Sequence, residues 1–460
     1  MQNVKFDIRD YIAIVAVIIV LIMTVLDVSL MNVALPVIAD DFGISESISV
    51  WLVTIYQLVI VMLLLPFSSI GDQYSYKKVF ISGVTVFTIG SAFCSFSSGF
   101  MMLLLARGLQ AVGAAGVMSV NIALIRTIYP RKILPRGLAL NAMCIAVATA
   151  AGPSLAGWII SISSWHWLFL VNIPLGISAF IIGLRTLPGN PVKYDVRKID
   201  LWGSIMNMLF FGALFYSLGN ITRSGDIVIS SIIFVFAILV GIFYVKRQLH
   251  SEKPMLPVDL FKIRLYTLSI GTSVSSFIAQ NLIMISLPFL LLTGLHFSEL
   301  STGLIMTPWP VATMIISPIA ARVIDKLNPA FVAATGMLIF ITGLILLLTV
   351  SEDISMGGLI WRMAICGVGF GFFQTPNNVV MVMATPVERT GAAGGMQSTA
   401  RLTGQTMGST LVTIIFSTVV AIMASVKVCI GISIGFAVLA CFFSLDRGLQ
   451  IRKNRIPAKI

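Results

Sequence analysis

Charge is what this sequence has least of. Only 10% of its 460 residues are Asp, Glu, Lys or Arg, where a soluble domain carries about 25%. That shortfall excludes an ordinary water-soluble globule. Histidine is nearly absent, with 3 residues, and the 5 cysteines (Cys94, Cys144, Cys366, Cys429, Cys441) all lie in apolar stretches. None has metal-ligand spacing, so the cysteines read as core packing rather than as a zinc centre. The sequence also lacks a phosphate-cradling glycine loop and a nucleophile-and-base arrangement. It is therefore read as a non-enzyme without a cofactor, and its energy must come from an ion gradient or from another chain.

Apolar length is abundant instead: 58% of the residues are hydrophobic. Runs long enough to cross a bilayer, which takes about 20 residues, occur at 11–35, 49–70, 79–98, 100–126, 136–161, 166–187, 200–220, 227–246, 265–293, 300–323, 330–350, 355–383, 391–423 and 425–445. They are continuous, so they predict helices; strands of a membrane barrel would alternate over about 10 residues. The predicted fold is an all-α polytopic membrane protein with fourteen transmembrane helices. The first run is preceded by charges of both signs and lacks a small-residue cleavage site, so it reads as an uncleaved helix.

The loops test that count. With the N-terminus in the cytoplasm, Lys5, Arg9, Lys77, Lys78, Arg126, Arg131, Lys132, Arg136, Arg185, Lys193, Arg197, Lys198, Lys246, Arg247, Lys253, Lys262, Arg264, Arg322, Lys326, Arg389 and the tail from Arg447 to Lys459 all fall inside. Arg223 and Lys427 alone fall outside. Removing any one helix destroys this segregation, so the basic residues predict a cell (inner) membrane protein with both termini cytoplasmic. The net charge of +12 is then a topology feature, with the lipid bilayer rather than nucleic acid as the partner.

A duplication is visible in the charged landmarks. Asp72 in "SSIGDQYSYKK" and Asp325 in "ARVIDKLNP" end the second helix of a six-helix set and stand 253 residues apart. Arg107 in "RGLQAVGAAG" and Arg362 in "RMAICGVGFG" sit on the fourth helix of each set, 255 apart. Two six-helix halves follow, with an inserted helix pair between them: 1–190, 191–250 and 251–460. Repeated halves with a site between them are a transporter architecture.

One residue violates the pattern. Asp27, in "LDVSLMNVALP" (25–35), is the sole charge in its apolar run. A carboxylate there costs at least ~2.5 kcal/mol, which marks it as a functional candidate. Counted at 1.5 Å per residue, Asp27 and Arg107 reach similar depths in the outer half of the bilayer, roughly 20 Å or more above the inner face. An ion pair between them is predicted, in which attraction and the cost of burial oppose each other. Asp27 is assigned to proton coupling with Arg107, and to attraction of a cation when charged. Among the polar helix residues, Asn32, Gln57 and Gln374 are predicted to face the substrate cavity. His166, between two tryptophans, reads as an interfacial anchor.

Together these motifs resemble the major facilitator superfamily, and within it the fourteen-helix drug:proton antiporter branch, over essentially the whole chain. "LDVSLMNVALP" is similar to the branch's first-helix motif, "SSIGDQYSYKKVF" to the superfamily's loop motif, and "RGLQAVGAAG" to the fourth-helix arginine motif. "AGPSLAG" (151–157) resembles the fifth-helix antiporter motif, and "SWHWLFLVNIP" (164–174) and "GVGFGFFQTPNN" (367–378) also resemble the branch. The chain departs from the loop motif at Gln73, Ser75 and Tyr76, has His166 where arginine is common, and has Ala156 in place of a glycine.

The resemblance implies gating by Asp72, Lys77, Lys78 and Asp325, and a hinge or seal at Gly152, Pro153 and Gly157. It implies multidrug efflux, the export of small lipophilic compounds in exchange for protons; the single deep carboxylate, for which one cation and one proton must compete, makes the expected substrate monocationic. Export of a lipid or metabolite, symport, and a non-transporting membrane sensor are the alternatives. A periplasmic adaptor is compatible with the branch, though no residue indicates one.

Overall fold

The computed structural model describes residues 7–130, 133–189, 200–221, 227–250, 256–385 and 390–453. Lys5, Arg131, Lys132, Lys193, Arg197, Lys198, Arg223, Lys253 and Arg389, counted above in the loops, lie outside the described residues, as does the start of the inserted segment, 191–199. Fourteen long helices run through the molecule: α1 (Ile8–Asp41), α2 (Glu46–Gln73), α3 (Tyr76–Ser95), α4 (Phe100–Ile128), α5 (Leu134–Ile162), α6 (Trp167–Thr186), α7 (Leu201–Asn220), α8 (Ile227–Leu249), α9 (Arg264–Gly294), α10 (Glu299–Ile324), α11 (Pro329–Leu348), α12 (Met356–Met383), α13 (Thr390–Thr418) and α14 (Ile422–Lys453). Among the described residues there is no strand.

Short polar turns set the boundaries. Ser75 caps α3 by accepting from the Lys78 N–H, Asn328 caps α11 through Ala330, and Ser355 caps α12 through Gly358. Each satisfies a helix-end donor that would otherwise be orphaned. Thirteen of the helices are long and apolar enough to cross a membrane. The remaining one, α13, has the length but carries Gln397, Arg401, Gln405 and a series of threonines. A polar membrane helix must turn those groups toward protein rather than lipid.

The helices pack as two six-helix bundles, α1–α6 and α9–α14, with α7 and α8 paired against each other and α7 laid on α2. One end of the molecule bears most of the described Lys and Arg residues and is called the basic side; the other is the far side. The α14 helix is longer than its apolar run. Arg447, expected in a solvated tail, is fully buried, donating to Ser269, Asn377 and Ser444. The continuous helix to Lys453 carries it back into the bundle.

Two prolines organise contacts between helices. Proline has no N–H, so the carbonyl four residues earlier loses its helical partner. Before Pro66 that carbonyl is Met62, and Asn207 of α7 donates to it at 2.8 Å. Before Pro153 it is Thr149, and the Ser29 hydroxyl of α1 donates to it at 3.2 Å. The first bond docks the inserted pair on α2, and the second ties α5 to α1.

Candidate functional site

Asp27 and Arg107 meet. Arg107 Nη1 donates to Asp27 Oδ2 at 2.5 Å, with both side chains almost fully buried. Gln110 Nε2 donates to Asp27 Oδ1 at 2.8 Å and Asn172 Nδ2 to the same oxygen at 3.4 Å. Arg107 also donates to Gln110 Oε1 at 2.6 Å and, through Nε, to the Leu52 carbonyl at 3.4 Å. Its guanidinium lies 4.2 Å from the Tyr56 ring centroid and 5.6 Å from that of Phe169. Helices α4 and α6 thus converge on the α1 carboxylate, α2 holds the Arg107 guanidinium through Leu52 and Tyr56, and Ser91 of α3 accepts from Gln110 at 2.9 Å.

Gln110 and Asn172 were not picked out from the sequence. Gln110 follows Arg107 by three residues, on the same helix face, and Asn172 stands inside "SWHWLFLVNIP", so both were legible as neighbours of named residues. The network leaves no side of Asp27 open. Its charge is matched by Arg107, and both of its oxygens accept hydrogen bonds from within the bundle.

The other expected cavity residues divide. Gln57 is 2% exposed and accepts from Ser409 of α13 at 3.2 Å, which makes it a staple between the bundles rather than a lining residue. Asn32 is half-buried, and its Oδ1 has no hydrogen-bond partner among the described residues. Gln374 is also half-buried.

The seam between the bundles lies toward the far side. A Cβ on Gly157 would come within 2.4 Å of the Glu299 carbonyl oxygen, and one on Gly303 within 2.3 Å of the Pro153 carbonyl oxygen. Only glycine permits α5 and α10 to approach so closely. Ser154 and Thr307 share a hydrogen bond of 2.6 Å beside this crossing, and Ser47 donates to Thr413 on the α2–α13 flank at 2.9 Å. Gly152 faces the other way, against Ser29 of α1.

On the basic side the gating candidates make no bond across the bundles among the described residues. Asp72 accepts from the Tyr76 hydroxyl at 2.7 Å, so one departure from the loop motif supplies the partner of its carboxylate. Ser75, another departure, is the α3 cap. Lys77 donates to the Leu184 carbonyl at 2.8 Å, while Lys78 and Asp325 are exposed. Arg362, the sequence counterpart of Arg107, bonds to the Leu346 and Gly358 carbonyls and lies over Trp361. It is an anchor at the far side and not a second ion-pair site, because the C-terminal bundle has no acid where Asp27 stands.

Two six-helix bundles, a buried ion pair in one of them and a glycine crossing between them define a membrane protein of the transporter type. The chain belongs to the Major Facilitator Superfamily, whose sequence profile matches residues 17–409 and, again, 268–454. It is 42% identical over 450 residues to YebQ, an uncharacterized transporter of Escherichia coli (strain K12), covering 98% of this chain and 97% of that one. It is 28% identical to the multidrug efflux pump LfrA of Mycolicibacterium smegmatis, over 89% of this chain and 81% of the relative. It is 26% identical to the riboflavin transporter RibZ of Clostridioides difficile (strain 630), over 89% of each. Among solved structures, a POT family transporter superposes with a TM-score of 0.70 at 17% identity, covering 96% of both chains. A bacterial homologue of the lysosomal transporter Spinster, inward-facing, superposes with a TM-score of 0.67 at 15% identity, covering 98% of this chain and 99% of that one. These two likenesses establish the fold.

Proposed function

We propose that this transporter is a proton-driven antiporter that exports small lipophilic compounds by alternating access, with Asp27 as the proton carrier. The buried Asp27–Arg107 pair supports this reading above all. Protonating the carboxylate removes one charge from a site of low dielectric and releases Arg107 from its strongest partner. A change of that size can bias two bundle arrangements, since a charge buried without its partner costs about 3–5 kcal/mol. The seam at Gly157 and Gly303 supplies the surface that would open and close on the far side. The basic side would be cytoplasmic, as the positive-inside rule requires, with Asp72 and Asp325 acting as latches in the opposite state.

Multidrug efflux relatives support the lipophilic substrate class. A metabolite exporter is the second reading, supported by the riboflavin transporter, which aligns over as much of the chain as the efflux pump does.

The test is proton release from acid-loaded proteoliposomes on adding lipophilic compounds, charged and neutral, to the wild type and to Asp27→Asn. The wild type should exchange protons for at least one compound and Asp27→Asn for none. Coupled exchange that persists in Asp27→Asn places the proton carrier elsewhere.

A further inference from the structure

Helix α13 holds a second intramembrane cation, one the coupling site does not use. Arg401 stands eleven residues above Thr390, roughly 16 Å into the helix at 1.5 Å per residue. It is half-buried and, among the described residues, has neither an ion-pair nor a hydrogen-bond partner. Gln397 and Gln405, four residues to either side, share its face and are likewise half-buried without a side-chain partner. Isolated charges at such depth are costly and are as a rule paired. Arg107 has Asp27, and Arg447 is enclosed by Ser269, Asn377 and Ser444.

The contacts of α13 fix where this face points. Gly404 and Gly408 lie against Val274, Phe277 and Asn281 of α9, while Ser409 bonds Gln57 of α2 and Gly395 approaches Leu65. At 100° per residue, Arg401 and Gln405 occupy the arc between those two edges. On α2 the residues touching α13 are followed, clockwise from the far side, by Trp51 and Met62, which touch α7 on the outer flank. Because α13 runs opposite to α2, the same handedness turns the Arg401–Gln405 arc inward, to the space between the bundles.

We infer that Arg401, flanked by Gln397 and Gln405, is an anion site for the transported compound, whose substrate class is a small apolar molecule bearing one carboxylate or similar oxyanion. The inference rests on the transporter reading and refines its substrate. A guanidinium presents donors in a planar fork that fits a carboxylate, and the two amides can take its remaining lone pairs. With Asp27 already matched by Arg107, the open charge between the bundles is positive, so an anion and not a cation completes it.

Binding at equilibrium, without a pH gradient, tests this separately from transport. The probes are 1-naphthoate and its neutral isostere 1-naphthamide, added to full-length protein in phosphatidylcholine nanodiscs. The wild type should bind naphthoate about tenfold more tightly, Arg401→Gln should lose that preference while keeping its affinity for naphthamide, and Arg401→Lys should keep part of it. In the wild type, naphthoate but not naphthamide should protect Arg401 from phenylglyoxal, read by peptide mapping, which needs no variant to fold. Equal binding of the two probes, no binding of naphthoate, or a preference that survives Arg401→Gln overturns the assignment. Protection by phosphatidylglycerol in the disc and not by naphthoate gives the site to a lipid headgroup and overturns it too. A preference for naphthoate without proton exchange in liposomes would overturn antiport and leave the anion site standing.

Discussion

A carboxylate that is 3% exposed survives in this bundle because each of its oxygens is taken. Asp27 draws on a guanidinium and two amides, and Arg107 in turn spreads its donors over Asp27, Gln110 and the Leu52 carbonyl. Removing one partner leaves the other charge buried and unmatched, while removing both leaves a neutral core. Arg107→Met should therefore destabilise the detergent-solubilised protein by about 3 kcal/mol. The double variant Arg107→Met with Asp27→Leu should recover most of that loss while staying uncoupled. Melting curves of the two single variants and the double decide it, and additive losses would mean that the pair does not act as a unit.

At the scale of elements, proline-freed carbonyls and helix-end carboxylates decide which helices touch. Asn207→Leu should leave the Met62 carbonyl unpaired against α7 and cost about 1–3 kcal/mol. Limited proteolysis in the segments flanking the inserted pair should speed up in that variant. The same pair is clasped on the basic side by Asp200, which caps α7 through Gly203 at 2.9 Å and receives Arg247 at 2.7 Å and Gln248 at 3.3 Å. Partial burial raises the Asp200 pKa, but the bonds from Gly203, Arg247 and Gln248 outweigh it and hold the pKa below the ordinary carboxylate value. A lowered folded-state pKa stabilises above the unfolded value, near 4, and the contribution disappears as the pH falls through the lower folded value. The stability gap between wild type and Asp200→Asn should accordingly be constant above about pH 5 and close in more acid buffer. A gap that widens on acidification contradicts the clasp. The pair is more than a third exposed on the arginine side, so the gap at neutral pH should be under about 1 kcal/mol.

For the whole molecule, two measurements address state and orientation. Gly157→Leu cannot fit against the Glu299 carbonyl, so spin labels at Ser161 and Glu352, both exposed, should move apart when the far-side seam is forced open. An unchanged distance distribution would show that the crossing is not the seal. A membrane-impermeant maleimide should label Lys427→Cys in intact cells, but Lys78→Cys and Lys326→Cys only after permeabilisation. The five natural cysteines are buried and should stay silent. Labelling of Lys78→Cys in intact cells reverses the orientation.

The sequence alone determined the class, the helix count and the pairing of Asp27 with Arg107. Apolar run length is a local property that the bilayer enforces, and one acid in such a run stands out without any knowledge of its neighbours. Arg107 could be paired with Asp27 because both depths follow from residue counts. What only the tertiary structure decided depends on which face each helix turns to which neighbour. Gln57 and Arg401 are both polar residues in membrane helices; packing made the first a staple to Ser409 and left the second open between the bundles. Arg447 looked like a tail residue until α14 continued past its apolar run, and Arg362 matched Arg107 in register but met no acid. Periodicity fixes where a side chain sits along a helix. The rotation of that helix against five or six others is set by glycine crossings and proline-freed carbonyls, which couple residues more than a hundred positions apart.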